Sequence, residues 1–390
     1  MNNASQALEP TWGGADPFEP AFKEDPYAVL NPLREQYRVN LTPVGTYRIT
    51  RYEDLLSIFK HANTSMTLAN GESPNFHPAD ERGSFREFIL NLDAPEHLRL
   101  RKLVYKSYNN RTERRFEIEA KDIADETMKR ALAAGGMDLI DDLAHLLPSQ
   151  IVCRIMGVPE EDRSLFTGWT AARTNAFFAR FLPDEIVQSL VDAGNQMADY
   201  FDDLVKVRRK DLGNDLLSEL IRAEEDGDRL LDGEIVVQAI GVIVAGFETT
   251  IGLIGNGARA LIEHPSQMAR LRGEPGLLNN CIEECLRFDT PVLFNWRVLV
   301  EPFQLGDVLI PEDAVIWQML ACGNRDPREF DKPDEFRIDR ENVAHQSFGG
   351  GSHFCLGNQL AKVEARHALG AFARDTQGLT ITCLLYTSPS

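Results

Sequence analysis

The run Phe348-Gly349-Gly350-Gly351-Ser352-His353-Phe354-Cys355-Leu356-Gly357 sets one cysteine between a glycine-rich approach and the apolar positions Leu356, Leu360, Val363, Leu369 and Phe372. That spacing predicts a helix starting just after Cys355. Helix N-terminal N–H groups favour a deprotonated sulfur, the form that ligates metal, and the glycines let backbone pass close to a flat ligand. A cysteine lacking such context reads as a small buried hydrophobe. Cys153, Cys281, Cys285, Cys322 and Cys383 lack it, and their scatter along the chain is not that of a disulfide framework. Cys281 and Cys285 share a helix face but have no partners at zinc-site spacing, so they read as core.

Other residues have chemistry out of keeping with their surroundings. In Ala245-Gly246-Phe247-Glu248-Thr249-Thr250 an acid and an alcohol end an apolar run that begins at Ile235. Buried polar groups are costly unless hydrogen-bonded, and a threonine hydroxyl can bond back to the carbonyl four residues earlier; a solvated helix edge is the plainer alternative. His97 and Arg101 stand one helical turn apart and together can clamp carboxylates. Glu284 and Arg287, at i and i+3, pair on one helix face.

The cysteine run resembles the haem-ligand loop of the cytochrome P450 superfamily, whose bacterial pattern Phe-Gly-x-Gly-x-His-x-Cys-x-Gly is matched at every fixed position. The resemblance implies that Cys355 is the thiolate ligand of the iron in haem b (iron protoporphyrin IX), that His353 reaches a propionate and that Phe348 packs near the sulfur. A thiolate ligand favours cleavage of the O–O bond over reversible oxygen binding. Ala245 to Thr250 resembles the family's oxygen groove, in which Thr249 would hydrogen-bond dioxygen and its water while Glu248 relays protons. His97, Arg101 and Arg297 match positions that hold propionates. Glu284 and Arg287 resemble the Glu-x-x-Arg pair, which is joined by an arginine from a later meander. Here Pro333-Asp334-Glu335-Phe336 lacks that arginine, leaving Arg337 or Arg340 as substitutes. Together the motifs span about Pro26 to Asp375.

The elements that must position these residues follow from periodicity. Helical spacing dominates from Glu96 to about Asp289, with breaks near Gly135-Gly136, Pro159, Pro183, Gly213 and Pro265. Strands are predicted at Thr46 to Thr50, Val298 to Val300 and Ala314 to Trp317, with a hairpin of Phe303–Leu305 and Val308–Ile310 about Gly306-Asp307. Neither end has enough strand for its own core. The expectation is a mainly α protein with a small β-rich region assembled from both ends, which is the cytochrome P450 fold. The expected division is an extension over 1–25, one domain over 26–382, and an atypical tail over 383–390, read as a truncation or a foreign tail such as translated vector or adapter sequence, with a shorter terminus as the plainer alternative.

The 390 residues are 43% hydrophobic and 26% charged, the make-up of a globular enzyme, and the net charge of −19 argues against nucleic-acid or anionic-membrane partners. Residues 1–20 lack a basic region followed by an apolar core, predicting a cytoplasmic protein. The Ile235–Phe247 run is too short to span a membrane and reads as a buried helix.

The resemblance implies a monooxygenase taking dioxygen, a small-molecule substrate and electrons from a ferredoxin-type donor with its reductase. A haem-thiolate peroxygenase or isomerase, or a non-enzymatic haem sensor, are alternatives that the intact Glu248-Thr249 pair disfavours. Family position puts Thr67–Phe85, Phe166–Leu182, Val242–Ala245 and Val292–Phe294 at the pocket; Phe177, Phe178, Phe181 and Phe294 suggest an apolar ligand. From His97 to Arg115 seven basic residues face one acid, Glu113, which suggests a docking face for an acidic ferredoxin.

Overall fold

The structure, a computed structural model, describes residues 8–17, 19–60, 63–74, 87–107, 110–175, 182–225, 227–379 and 381, without the side chains of 110–115, 224 and 225. Phe177, Phe178, Phe181, part of the 67–85 segment and the tail over 383–390 lie outside the described residues.

The chain forms two compact units, one of residues 1–74 and 276–355, the other of residues 75–275 and 356–390. The first begins with α1 (Pro20–Glu24), α2 (Pro26–Gln36), β1 (Val39–Leu41), β2 (Tyr47–Ile49), α3 (Tyr52–Lys60) and β3 (Thr64–Ser65). The second takes α4 (Glu96–Ser107), α5 (Asn110–Ala134), α6 (Leu146–Ile155), α7 (Arg163–Asn175), α8 (Asp184–Lys210), α9 (Leu216–Arg222), the hairpin β4 (Glu224–Glu225) and β5 (Asp228–Arg229), α10 (Asp232–Glu263) and α11 (Pro265–Gly273). Back in the first unit come α12 (Leu278–Phe288), β6 (Asn295–Leu299), β7 (Phe303–Leu305), β8 (Val308–Ile310), β9 (Val315–Gln318) and α13 (Leu320–Asn324). The second unit closes with α14 (Asn358–Asp375).

The sheet does draw its strands from both ends, in the order β1-β2-β9-β6-β3. β2 and β9 run parallel, and the other pairs are antiparallel. Alternation along the strands sends Ile49, Leu299 and Ile316 into a core with Leu55 and Ile58 of α3. Trp296, Val298 and Trp317 go to the opposite core, with Tyr27, Leu30 and Leu33 of α2. The predicted hairpin is present residue for residue, and Gly306 takes the positive φ its turn requires.

The second unit is built around α10. Its neighbours are α6, α7, α8, α11 and α14, and Ile235, Ile240, Ile243, Phe247, Ile254 and Leu261 are buried among them. A helix apolar on most sides belongs at the centre of such a bundle. The apolar run misled as to length: α10 has 32 residues and is long and apolar enough, by length and composition, to cross a membrane. Its most apolar window is 67% buried. The predicted breaks hold physically. α5 stops before Gly135, whose φ is 76°, Pro183 caps α8, and Pro265 opens α11.

Candidate active site

In the first unit the loop from Phe348 to Cys355 is closed by the Cys355 N–H, which donates to the Phe348 carbonyl at 3.0 Å. The Phe348 ring meets the Phe354 ring edge-on with centroids 6.3 Å apart. His353 is half-buried on the same loop, within a 3-10 turn over Gly351–His353. Much of the need for glycine here comes from α3 rather than from a ligand. A Cβ on Gly351, whose φ is 66°, would lie 2.4 Å from the Phe59 carbonyl oxygen, and one on Gly350 would lie 2.7 Å from the Phe59 ring.

Cys355 differs from the other described cysteines in exposure: it is half-buried, and Cys153, Cys281, Cys285 and Cys322 are buried. Burial pushes the Cys153 and Cys322 thiols up to about 12, and a hydrogen bond with Cys281 together with burial pushes Cys285 up. Those three thiols stay protonated, unsuited to bind metal. α14 begins at Asn358, shortly after Cys355, as the apolar spacing predicted.

The start of the loop is stitched to α12 and α13. The Gln346 N–H donates to Asn324 Oδ1 at 2.7 Å, Asn324 Nδ2 to Ser347 Oγ at 2.8 Å, and Ser347 Oγ to the Leu286 carbonyl at 2.7 Å. Beneath lies the Glu-x-x-Arg pair, fully buried. Arg287 binds Glu284 through two parallel bonds of 2.7 and 2.8 Å and donates to the carbonyls of Asn324 and Pro333. The third member is Arg340, whose Nε lies 3.1 and 3.3 Å from the two Glu284 oxygens. Arg337 contributes only its backbone N–H to Glu284, at 2.9 Å, and its guanidinium turns toward Asp331. Arg297 is buried on β6 and donates to the Trp296 carbonyl at 2.6 Å.

The second unit carries the remaining candidates. On α4, His97 is buried and Arg101 half-buried one turn away. On α10 the Thr249 hydroxyl donates to the Ala245 carbonyl at 2.6 Å, the back-bond anticipated for an alcohol inside an apolar helix. Ala245 and Thr249 are exposed, one turn apart. Gly246 is directed elsewhere: a Cβ there would come within 3.3 Å of Val152 on α6, so of the small pair only Ala245 is on the open face. Glu248 is half-buried, and burial pushes its carboxyl above the ordinary range.

The cytochrome P450 family profile matches residues 21–374. The chain belongs to the cytochrome P450 family. It is 35% identical to cytochrome P450 107B1 of Saccharopolyspora erythraea over 90% of this chain and 88% of that one. It is 33% identical to the vitamin D(3) 25-hydroxylase of Pseudonocardia autotrophica over 94% and 90%. Among solved structures, P450BioI, in complex with an acyl carrier protein ligated to hexadec-9Z-enoic acid, superposes with a TM-score of 0.84 at 28% identity, over 91% of this chain and 92% of that one. As a cytochrome P450 the protein has the mainly α fold expected, binds haem, and is a haem-thiolate monooxygenase.

Haem fits the residues present. Gln318, fully buried on β9, pairs in register with Asn295 on β6, and neither Gln318 amide atom nor Asn295 Oδ1 has a hydrogen-bond partner among the described residues. Asn295 Nδ2 lies 3.6 Å from the Cβ position of Gly349 in the cysteine loop. Gln318 is too enclosed to meet a ligand, and the fit to haem rests on Cys355, half-buried where the other described cysteines are buried, in a glycine-rich loop whose backbone a flat ligand can approach. Sequence reading passed over both amides, although a glutamine and an asparagine inside apolar strands were a visible signal. It also passed over Glu364 on α14, a buried carboxyl that burial pushes well above the ordinary range.

Proposed function

We propose that Cys355 holds the haem iron and that Thr249 and Glu248 govern proton delivery for monooxygenation of a small, apolar substrate. Haem, when bound, supplies the activation of dioxygen. His353, Phe348, Arg297, His97 and Arg101 are read as the other haem-binding residues, each on its match to a motif of the family. The observation that carries the reading is the α10 surface, where an exposed hydroxyl neighbours a carboxyl of raised pKa. With its proton committed to the Ala245 carbonyl, Thr249 Oγ1 offers lone pairs, so it accepts one proton of a water and leaves that water's other proton for the open side. Glu248 keeps its proton to higher pH than a solvated carboxyl does, which suits a group that must pass protons inward from solvent.

Thr249→Ala is expected to retain haem and substrate binding but to divert electrons to hydrogen peroxide. Product formed per NADH should fall about tenfold or more, since a positioned proton donor is worth about 10² or more in rate. Unchanged coupling would remove Thr249 from the mechanism. Turnover with NADH, a ferredoxin and its reductase, set against turnover with hydrogen peroxide alone, separates monooxygenase from peroxygenase action.

The electron donor is read as a ferredoxin that docks on α4, but on fewer charges than the sequence suggested. Arg99 is engaged by three carboxylates: Glu96 at 2.9 Å, Asp228 at 3.2 Å, and Glu234. The side chains of Arg111, Arg114 and Arg115 lie outside the described residues. What α4 presents is Leu98, Lys102, Tyr105 and Lys106, all exposed and spaced as one helical stripe. Lys102→Glu with Lys106→Glu should slow reduction by an acidic ferredoxin about tenfold at low ionic strength, with the gap closing as salt rises. Reduction that ignores both the reversal and the salt would count against this face. The setting is read as cytoplasmic, and the net charge of −19 favours solubility.

A further inference from the structure

The backbone just ahead of α4 is fastened to α10 by one side chain. Gln238, fully buried, grips both sides of a single residue: its Nε2 donates to the Glu87 carbonyl at 2.9 Å, and its Oε1 accepts from the Ile89 N–H at 3.2 Å. The amide thereby satisfies a donor and an acceptor that a neighbouring strand would otherwise pair. Phe88, held between, lies directly on Gly241. A Cβ built on Gly241 would fall 2.1 Å from Phe88 Cδ2, 2.3 Å from Cε2 and 2.4 Å from Cγ. With Glu87 and Ile89 both tied down, a methyl group at Gly241 leaves the ring only one response, which is to swing off the helix.

Gly241, Ala245 and Thr249 succeed one another at i, i+4 and i+8 along one stripe of α10, so Phe88 covers the turn next to Ala245, about 6 Å along the axis. We propose that Gly241 is a specificity-determining position that acts through Phe88. Its missing side chain lets the ring lie flush on α10, and the height of the ring sets how bulky a molecule reaches the Ala245–Thr249 face. Gln238 and Gly241 are positioning residues, and Phe88 is the contact. The inference rests on the reading of that face as the oxygen side of the haem.

The test titrates the haem-loaded ferric enzyme with imidazole and with 4-phenylimidazole, probes with the same donor atom and different bulk, and follows the Soret shift. Gly241→Ala should weaken 4-phenylimidazole about tenfold or more, the scale of an overpacked contact, while imidazole changes less than about twofold. Adding Phe88→Ala to Gly241→Ala should restore or exceed wild-type affinity for the bulky probe, because the displaced ring is gone. Equal weakening of both probes, an unchanged ratio, or a double variant as impaired as Gly241→Ala would each overturn the proposal, since a general packing defect gives no size dependence and no rescue. Should Phe88→Ala fail to load haem, Phe88→Leu replaces it, and Gly241→Ala alone still reads the ratio. An unchanged ratio with an uncoupled Thr249→Ala enzyme rejects the role of Gly241 and keeps the oxygen-side reading. A shifted ratio with a normally coupled Thr249→Ala enzyme rejects Thr249 instead.

Discussion

Cys355→Ala is expected to abolish the red-shifted Soret band that marks thiolate-ligated haem in the reduced carbonyl complex, and monooxygenation with it. No other described cysteine can take over. Cys153, Cys281, Cys285 and Cys322 are buried, and burial pushes the thiols of Cys153 and Cys322 up to about 12. Without the thiolate, the electron donation that favours O–O cleavage is lost even where haem is retained. Survival of the band in Cys355→Ala would mean that another sulfur is the ligand.

The second large effect concerns stability. Glu284→Gln removes the one negative charge that both Arg287 and Arg340 bind, and those side chains are 0% and 5% exposed. Two guanidinium groups would stay buried with no counter-charge from that position. Breaking a buried pair in this way costs about 3–5 kcal/mol, a large share of the roughly 5–15 kcal/mol by which proteins are stable. The midpoint of urea unfolding should fall sharply, and haem loading at growth temperature with it. Arg340→Met should be milder, because Arg287 keeps both of its bonds to Glu284. A Glu284→Gln protein within about 1 kcal/mol of wild type would show that the cluster does not brace the cysteine loop.

What could be read in advance was local. The hairpin of β7 and β8 was legible because Gly306-Asp307 punctuates two short apolar runs, and the helix after Cys355 because its apolar spacing is regular. The full length of α10 was not, since Glu248, Thr249 and Asn256 lower its hydropathy while the helix runs on; the Thr249 back-bond absorbs one of those polar groups. The choice between Arg337 and Arg340 was closed to sequence reasoning because their meander has no period to say which side chain turns inward. Long-range partners were equally hidden. Gly350 and Gly351 answer to Phe59, Phe88 answers to Gln238 and Gly241, and the charge of Arg99 is met by Asp228 and Glu234 from distant segments. A run of basic residues looks like an available face until the acids that meet it are placed.

The parallel pairing of β2 with β9 also has a bearing on biosynthesis. Tyr47–Ile49 finds its partner in Ile316–Gln318, so the β1–β2 hairpin must wait while about 270 residues are made, roughly 15–50 s at usual ribosome speeds. Throughout that interval one side of β2 is an open edge, a template for strands of other nascent chains. Polypeptides stalled or cut between Ile49 and Val315 therefore retain an open edge that only a chain reaching β9 can cover.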